Sequence, residues 1–157
     1  MLCPIETGIH NCRTDFDTSG VIYTLANNFG RSNSCSTSIT ATRSSDGKGE
    51  AKDILRNQVQ RPKGIVCATK ARRNSWWCVD LTENYALYLT HYTLWHGQEQ
   101  RGSVLRYWKL QGSLDGNEWT TLRNHENDPG LQDSKPYCTC TWKIEGDSNA
   151  FHYFRIL

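Results

Sequence analysis

Residues 107–122 constrain the fold of this chain more than any other stretch. Tyr107 to Leu114 is strand-like, Asp115-Gly116-Asn117 is a turn, and Glu118 to Leu122 is strand-like again. An Asp-Gly pair between two such runs specifies a tight hairpin, because glycine adopts positive φ without steric cost. Trp119 and Leu122 have opposite parity. The second strand is therefore either covered on both faces or ends in a bulge.

Further strands are read on both sides of the hairpin. Asp15 to Gly20 forms a turn rich in side chains that bond their own backbone, and Gly20 to Ala26 reads as a first strand. Thr37 to Thr42 and Ile65 to Thr69 are short strands, and Trp76 to Leu81 places Trp77, Val79 and Leu81 on one face. Tyr85 to His96 is the longest candidate; both of its faces are partly apolar, so it reads as a central strand. Cys138, Cys140, Trp142 and Ile144 alternate with polar residues, and His152 to Ile156 is expected to bury Phe154 and Ile156. Glu50 to Asn57 alone reads as a helical turn. The 6 Trp and 7 Tyr against 1 Met suit pleated, half-buried surfaces. Short strands separated by turn signals predict an all-β sandwich. A length of 157 residues suits one domain, with residues 1–14 as an aperiodic N-terminal tail.

Several function classes find no support. No apolar run approaches the ~18 residues of a membrane helix. Met1 to His10 lacks the basic start and apolar core of a secretory signal. The net charge of +2 is too small to imply nucleic acid. The cysteines number 7, an odd set without a C-x-x-C pair or nearby spaced histidines. They read as reduced, mostly buried thiols, which favours a reducing, intracellular compartment over a zinc site. Cys138 and Cys140 share a strand face and read as core packing. His91 and His96 point to opposite faces of a strand and cannot chelate one ion; His91 reads as a half-buried, satisfied residue. Asp15 and Asp17 are too few for the 6–8 oxygens that calcium takes. There is no G-x-S-x-G elbow, no H-E-x-x-H and no phosphate loop. The expectation is a chain that is not an enzyme and that carries no metal and no cofactor.

The charge is unevenly spread. Ala51 to Ser75 holds seven basic residues against Asp53, a net +6, while Leu114 to Ser134 holds five acids against Arg123, a net −4. Such a dipole is either ordinary solvated surface or a means of steering an acidic partner. In Lys70-Ala71-Arg72-Arg73 the planar guanidinium forks can each hold a carboxylate with two bonds.

Several segments together resemble an intracellular discoidin-like domain of the coagulation-factor V/VIII C-type group, within the galactose-binding-like superfamily. They are Asp15 to Tyr23, Trp76 to Leu81, His91 to Gly97, Leu105 to Ser113, Asp115 to Leu122, His125 to Asp128 and Tyr153 to Ile156. The closest branch is that attached to HECT-type ubiquitin ligases and BTB-domain proteins. The resemblance spans residues 15–157 and implies a jelly-roll sandwich that binds through loops at one end and does no chemistry. Secreted members tie their ends with a disulfide, and nothing near Leu157 can pair with Cys3 or Cys12. Where the branch commonly has arginine before His-Gly and asparagine before Trp, this chain has Trp95 and Tyr107. The family pattern also runs past Phe154-Arg155-Ile156 into a last strand, which residues 15–157 are expected to lack, leaving an open sheet edge if nothing else pairs there.

On this reading three loops converge: Asn27 to Ser34, Lys70 to Ser75 and Gly97 to Arg106. The first offers Asn28, Phe29 and Arg31, the second Arg72, Arg73 and Asn74, and the third Arg101 and Arg106, with His96 at its root. Trp76 borders them as either a stacking platform or a plug beneath the loops. Arginine and aromatic side chains are the usual anchors of interfaces. The expected ligand is a protein or peptide, with acidic character favoured by the arginines, held as substrate recognition within a ubiquitin ligase. The alternative is a carbohydrate- or phospholipid-binding module. Phe29 is the one clear apolar spike, which argues against a membrane.

Overall fold

The computed structural model describes residues 19–27, 39–56, 66–97, 104–132, 137–146 and 149–157. In chain order the elements are α1 (Val21–Asn27), β1 (Thr40–Arg43), a 3₁₀ turn (Ala51–Leu55), β2 (Trp77–Asp80), β3 (His91–Trp95), β4 (Trp108–Ser113), β5 (Thr120–His125), β6 (Thr139–Lys143) and β7 (Tyr153–Ile156). One antiparallel sheet has the order β1-β2-β7-β4-β5, and a second pairs β3 with β6.

Directly opposed residues share a face, so the register assigns the inward rows. Ala41, Val79, Phe154 and Gly112 form one; Trp77, Ile156 and Leu110 form the next; Trp108 and His125 lie beyond. Ile39, Leu55, Leu81, Phe151 and Phe154 make one buried cluster, and Trp108, Leu131 and Trp142 make another. Tyr92 and Leu94 of β3 and Cys140 of β6 pack against the second cluster, so the small sheet lies over the large one as a β-sandwich.

The hairpin forms as the sequence dictates. Asp115 accepts the N–H groups of Asn117 and Glu118 at 2.8 and 2.9 Å, and Gly116 has φ 75°. Leu110 faces Arg123 while Gln111 faces Thr121, so Leu122 is the extra residue of a bulge. That bulge accounts for the mismatched parity of Trp119 and Leu122. Trp119 lies under the Arg155 guanidinium, 3.9 Å from the ring centroid.

Three expectations are corrected. Gly20 to Ala26 is not a strand: Val21–Asn27 is helical, because Ile22, Leu25 and Ala26 share a face that packs on the first cluster. Tyr85 to His96 is not one central strand: His91–Trp95 forms a strand paired with β6, and Leu87 makes an isolated bridge to Phe151. Residues 85–90 instead follow a turn at Thr82 (φ 65°), where His152 Nδ1 donates to the carbonyls of Thr82 and Tyr85. In the described part of Ile65 to Thr69 the one ladder contact is a bridge from Ala68 to Lys48. The last strand, β7, is interior to the large sheet, hydrogen-bonded to β2 on one side and β4 on the other. Of the smaller readings, His91 is exposed rather than half-buried, and Ile156 is half-buried. Residues 1–14 and the turn opening at Asp15 lie outside the described residues.

Candidate binding site

The large sheet sends several connections to one end. The end of β1, the start of β2, the start of β4 and the end of β5 all lie there, so residues 44–49, 70–76, 104–107 and 126–130 form its rim. The hairpin turn at 114–119 is at the opposite end.

Arg43 organises one half of this rim. Its side chain is 5% exposed. Nε donates to Asp46 Oδ1 at 3.0 Å, Nη1 to the carbonyls of Lys48 and Ala68 at 2.8 and 3.1 Å, and Nη2 to that of Gly49 at 2.6 Å. The guanidinium also stands over the Trp77 ring, 5.4 Å from its centroid. Hydroxyls fix the rest of the loop. Ser45 Oγ accepts the Lys70 N–H, Ser44 Oγ accepts the Trp76 N–H, and Ser75 Oγ donates to the Arg72 carbonyl at 2.9 Å. The backbone is thereby held at Lys70, Arg72 and Trp76, while the side chains of Lys70, Arg72, Arg73 and Asn74 are exposed. No ion-pair partner for these three cations is found among the described residues.

The other half rests on a buried relay. His125 is 4% exposed and stacks on Trp108, with ring centroids 3.9 Å apart. Its Nδ1 is 2.6 Å from Asp128 Oδ2 and its Nε2 2.5 Å from the Tyr92 hydroxyl. The Tyr92 oxygen also accepts the Trp108 indole N–H at 3.0 Å, and Asp128 accepts those of Trp142 and Gly130. Burial pushes the Asp128 carboxyl up, but the Gly130 N–H, His125 and the Trp142 indole more than offset it and hold it below the usual carboxylate range. Burial pushes the Tyr92 phenol up to about 12. A carboxylate, an imidazole and a phenol in line resemble a catalytic relay. Here the imidazole is sealed beneath Trp108 and both its nitrogens are engaged within the fold, so the unit works as a strut. Its upper end carries the rim: Asp128 N–H donates to the Arg106 carbonyl at 2.9 Å, and Arg106 Nη1 returns a bond to the Asp128 carbonyl at 3.0 Å.

Four of the expected ligand residues, Asn28, Phe29, Arg31 and Arg101, lie outside the described residues. Arg72, Arg73 and Asn74 come together on the pinned loop. Trp76 is half-buried beside Ser44, and His96 is half-buried with its backbone N–H on the Cys138 carbonyl. Arg106 is committed to Asp128. Two residues of the rim escaped the sequence reading. Arg43 gave no local sign, since its partners are set by the fold. Tyr107, 66% exposed, was legible from parity, because its neighbour Trp108 points inward.

The expected charge separation holds only in part. Asp115 and Glu118 are at the far end, whereas Glu126 and Asp128 share the end of the arginines. Cys67, Cys78, Cys138 and Cys140 are free, and burial raises the Cys78 thiol. Among the described residues no group of three or more His, Cys, Asp or Glu side chains could hold a metal, and no helix is long and apolar enough to cross a membrane. A cavity of about 270 Å³ lined by Leu122, Arg123, Asn124 and Glu145 holds none of the expected ligand residues.

With this geometry in view, known proteins are informative. Residues 62–146 match the F5/F8 type C family described as NedA-like, galactose-binding domain. The chain is 34% identical over 155 residues to the E3 ubiquitin-protein ligase Ufd4 of Drosophila melanogaster, covering 90% of this chain and 5% of the ligase. It is 38% identical over 87 residues to a BTB/POZ domain-containing protein of Arabidopsis thaliana, covering 54% of this chain and 10% of that protein. Among solved structures it is similar to CpGH89CBM32-5 of Clostridium perfringens, in complex with GalNAc-β-1,3-galactose. That match has a TM-score of 0.56 at 16% identity and covers 75% of this chain and 81% of the other; at that identity the likeness is one of fold.

Proposed function

Because the chain belongs to the F5/F8 type C family of NedA-like, galactose-binding domains, we propose that it is a non-catalytic binding module of a larger intracellular protein. It holds a protein or peptide segment of acidic character on the rim at the Arg43 end. Its family and its jelly-roll β-sandwich make it a binding domain; the choice of ligand rests on the rim. The observation that carries it is a loop braced at its base whose exposed cations have no ion-pair partner among the described residues. Arg43 and Ser44 hold the flanking Ala68 and Trp76, Ser45 holds Lys70 and Ser75 holds the Arg72 carbonyl, and the side chains of Arg72 and Arg73 are exposed between them. A loop already held in place loses little entropy on binding. Guanidinium forks at its tip suit carboxylates. Since the chain spans only a small part of the ligase it resembles, substrate selection within such a ligase is the role this surface fits.

A glycan is the second reading, favoured by the likeness to a solved module whose complex contains a disaccharide. The test is an array of acidic, neutral and basic peptides, run beside a glycan array, with the wild-type domain and the Arg72→Ala/Arg73→Ala variant. Retention on acidic peptides is expected, weakening with salt and lost in the variant, at an unchanged melting temperature. Retention on glycans alone would transfer the site to the second reading, and equal retention of both proteins would remove the arginines from it. Arg106 is left intact in this variant because it braces Asp128.

A further inference from the structure

We propose that Tyr107 is a second, specificity-determining contact of this surface. The ligand is then an extended segment carrying an acidic side chain and, a few residues away, an apolar or aromatic one. The inference rests on the peptide-binding reading above and adds to it the pattern that is read.

Tyr107 is a large ring, 66% exposed, on a backbone that cannot yield. On one side Arg106 is bonded to Asp128 through both its carbonyl and its guanidinium. On the other, Lys109 exchanges both backbone bonds with Leu157, at 2.8 and 3.0 Å. Between them Trp108 is locked on His125. With its backbone bonded on both sides, Tyr107 has only its side-chain rotamer to order on contact, and aromatic and arginine side chains dominate interface energies.

Its placement relative to the basic loop follows from the register. Trp77 faces Ile156, so Trp76 faces Leu157, which is bonded to Lys109. Trp76 and Lys109 therefore lie on the outward face with β7 between them, and Tyr107 shares that parity, two residues nearer the rim. The starts of β2 and β4 are two strand spacings apart, about 10 Å, and an extended segment advances about 3.3 Å per residue. A segment with its carboxylate at the basic loop that precedes β2 thus runs across β7, a few residues, to bring an apolar side chain to the Tyr107 ring. Lys109, exposed on the same face, adds positive charge to that end.

The test is a positional scan of short acidic peptides in which one apolar residue is moved along the sequence, read with wild-type, Tyr107→Ala, Tyr107→Phe and Arg72→Ala/Arg73→Ala proteins. Tyr107→Ala is expected to weaken the best peptide about tenfold and to flatten the apolar preference while keeping the acidic one. Tyr107→Phe should retain both, and the arginine variant should lose the acidic preference. If acidic peptides bind and the Tyr107→Ala scan matches wild type, this inference fails alone. If no peptide binds the wild-type domain, the reading beneath it fails as well.

Discussion

The Asp128 carboxylate meets the His125 imidazole at 2.6 Å, inside a cage of Tyr92, Trp108 and Trp142. This contact ties the end of β5 to the segment that carries Arg106 and Tyr107. One buried pair thus couples the core of the sandwich to the rim on which a ligand would rest.

Replacing Asp128 by Asn removes the charge that faces His125 and leaves donors of the cage poorly matched. A loss of about 1–3 kcal/mol at neutral pH is expected. The folded carboxyl is held below its ordinary value, so its contribution is present above the unfolded pKa of about 3.9 and is lost as pH falls through the folded value. Thermal melts of wild type and Asp128→Asn should therefore differ at pH 7 and converge in strong acid. A gap that persists there would mean that the carboxylate charge is not what stabilises the cage.

Tyr92 gives a signature at the other end of the pH scale. Its phenol is raised to about 12, so its contribution is complete below the unfolded value of about 10 and disappears as pH rises through the folded one. Wild type should lose stability across that window more steeply than Tyr92→Phe. The variant should already be weaker at pH 7 by about 1–3 kcal/mol, since His125 and Trp108 each lose a partner. Denaturant midpoints at neutral and alkaline pH measure both effects.

Arg43→Lys keeps the charge and removes the planar fork that reaches Asp46, Lys48, Gly49 and Ala68 together. A loss of about 1.5–3 kcal/mol is expected. Hydrogen exchange read residue by residue should quicken at Gly47, Lys48 and Lys70, leaving the β4–β7 ladder protected. Uniform quickening would show that Arg43 supports the whole sheet.

Gly112 sits in β4 where an added Cβ would lie 2.5 Å from the Phe151 ring. Gly112→Ala should cost about 1–3 kcal/mol by overpacking. Shrinking the ring in Phe151→Leu/Gly112→Ala should recover part of that loss relative to the sum of the single variants, in a double-mutant cycle of melting temperatures.

Much of the fold was legible where signals were local. Asp115-Gly116 gave the hairpin, the alternation from Cys138 to Ile144 gave β6, and Glu50 to Asn57 contained the 3₁₀ turn. Readings failed where tertiary contact overrode local preference. Val21, Ile22 and Tyr23 favour a strand on their own, but three apolar residues at helical spacing had a core to bury against. Tyr85 to His96 is apolar on both faces because it crosses between two clusters, and periodicity does not show where such a run bends. The same divide holds at the rim. The arginine loop was visible as charge; the guanidinium of Arg43 acts through residues up to Ala68, a relationship that exists only once the chain has folded.

The position of β7 bears on how the domain is made. Residues 153–156 are the filling between β2 and β4, so a ribosome-bound chain carries two unpaired strand borders until these residues emerge. Pairings this distant in sequence form slowly. During that interval the borders of β2 and β4 are open to mispairing, and the sheet closes only once β7 is available.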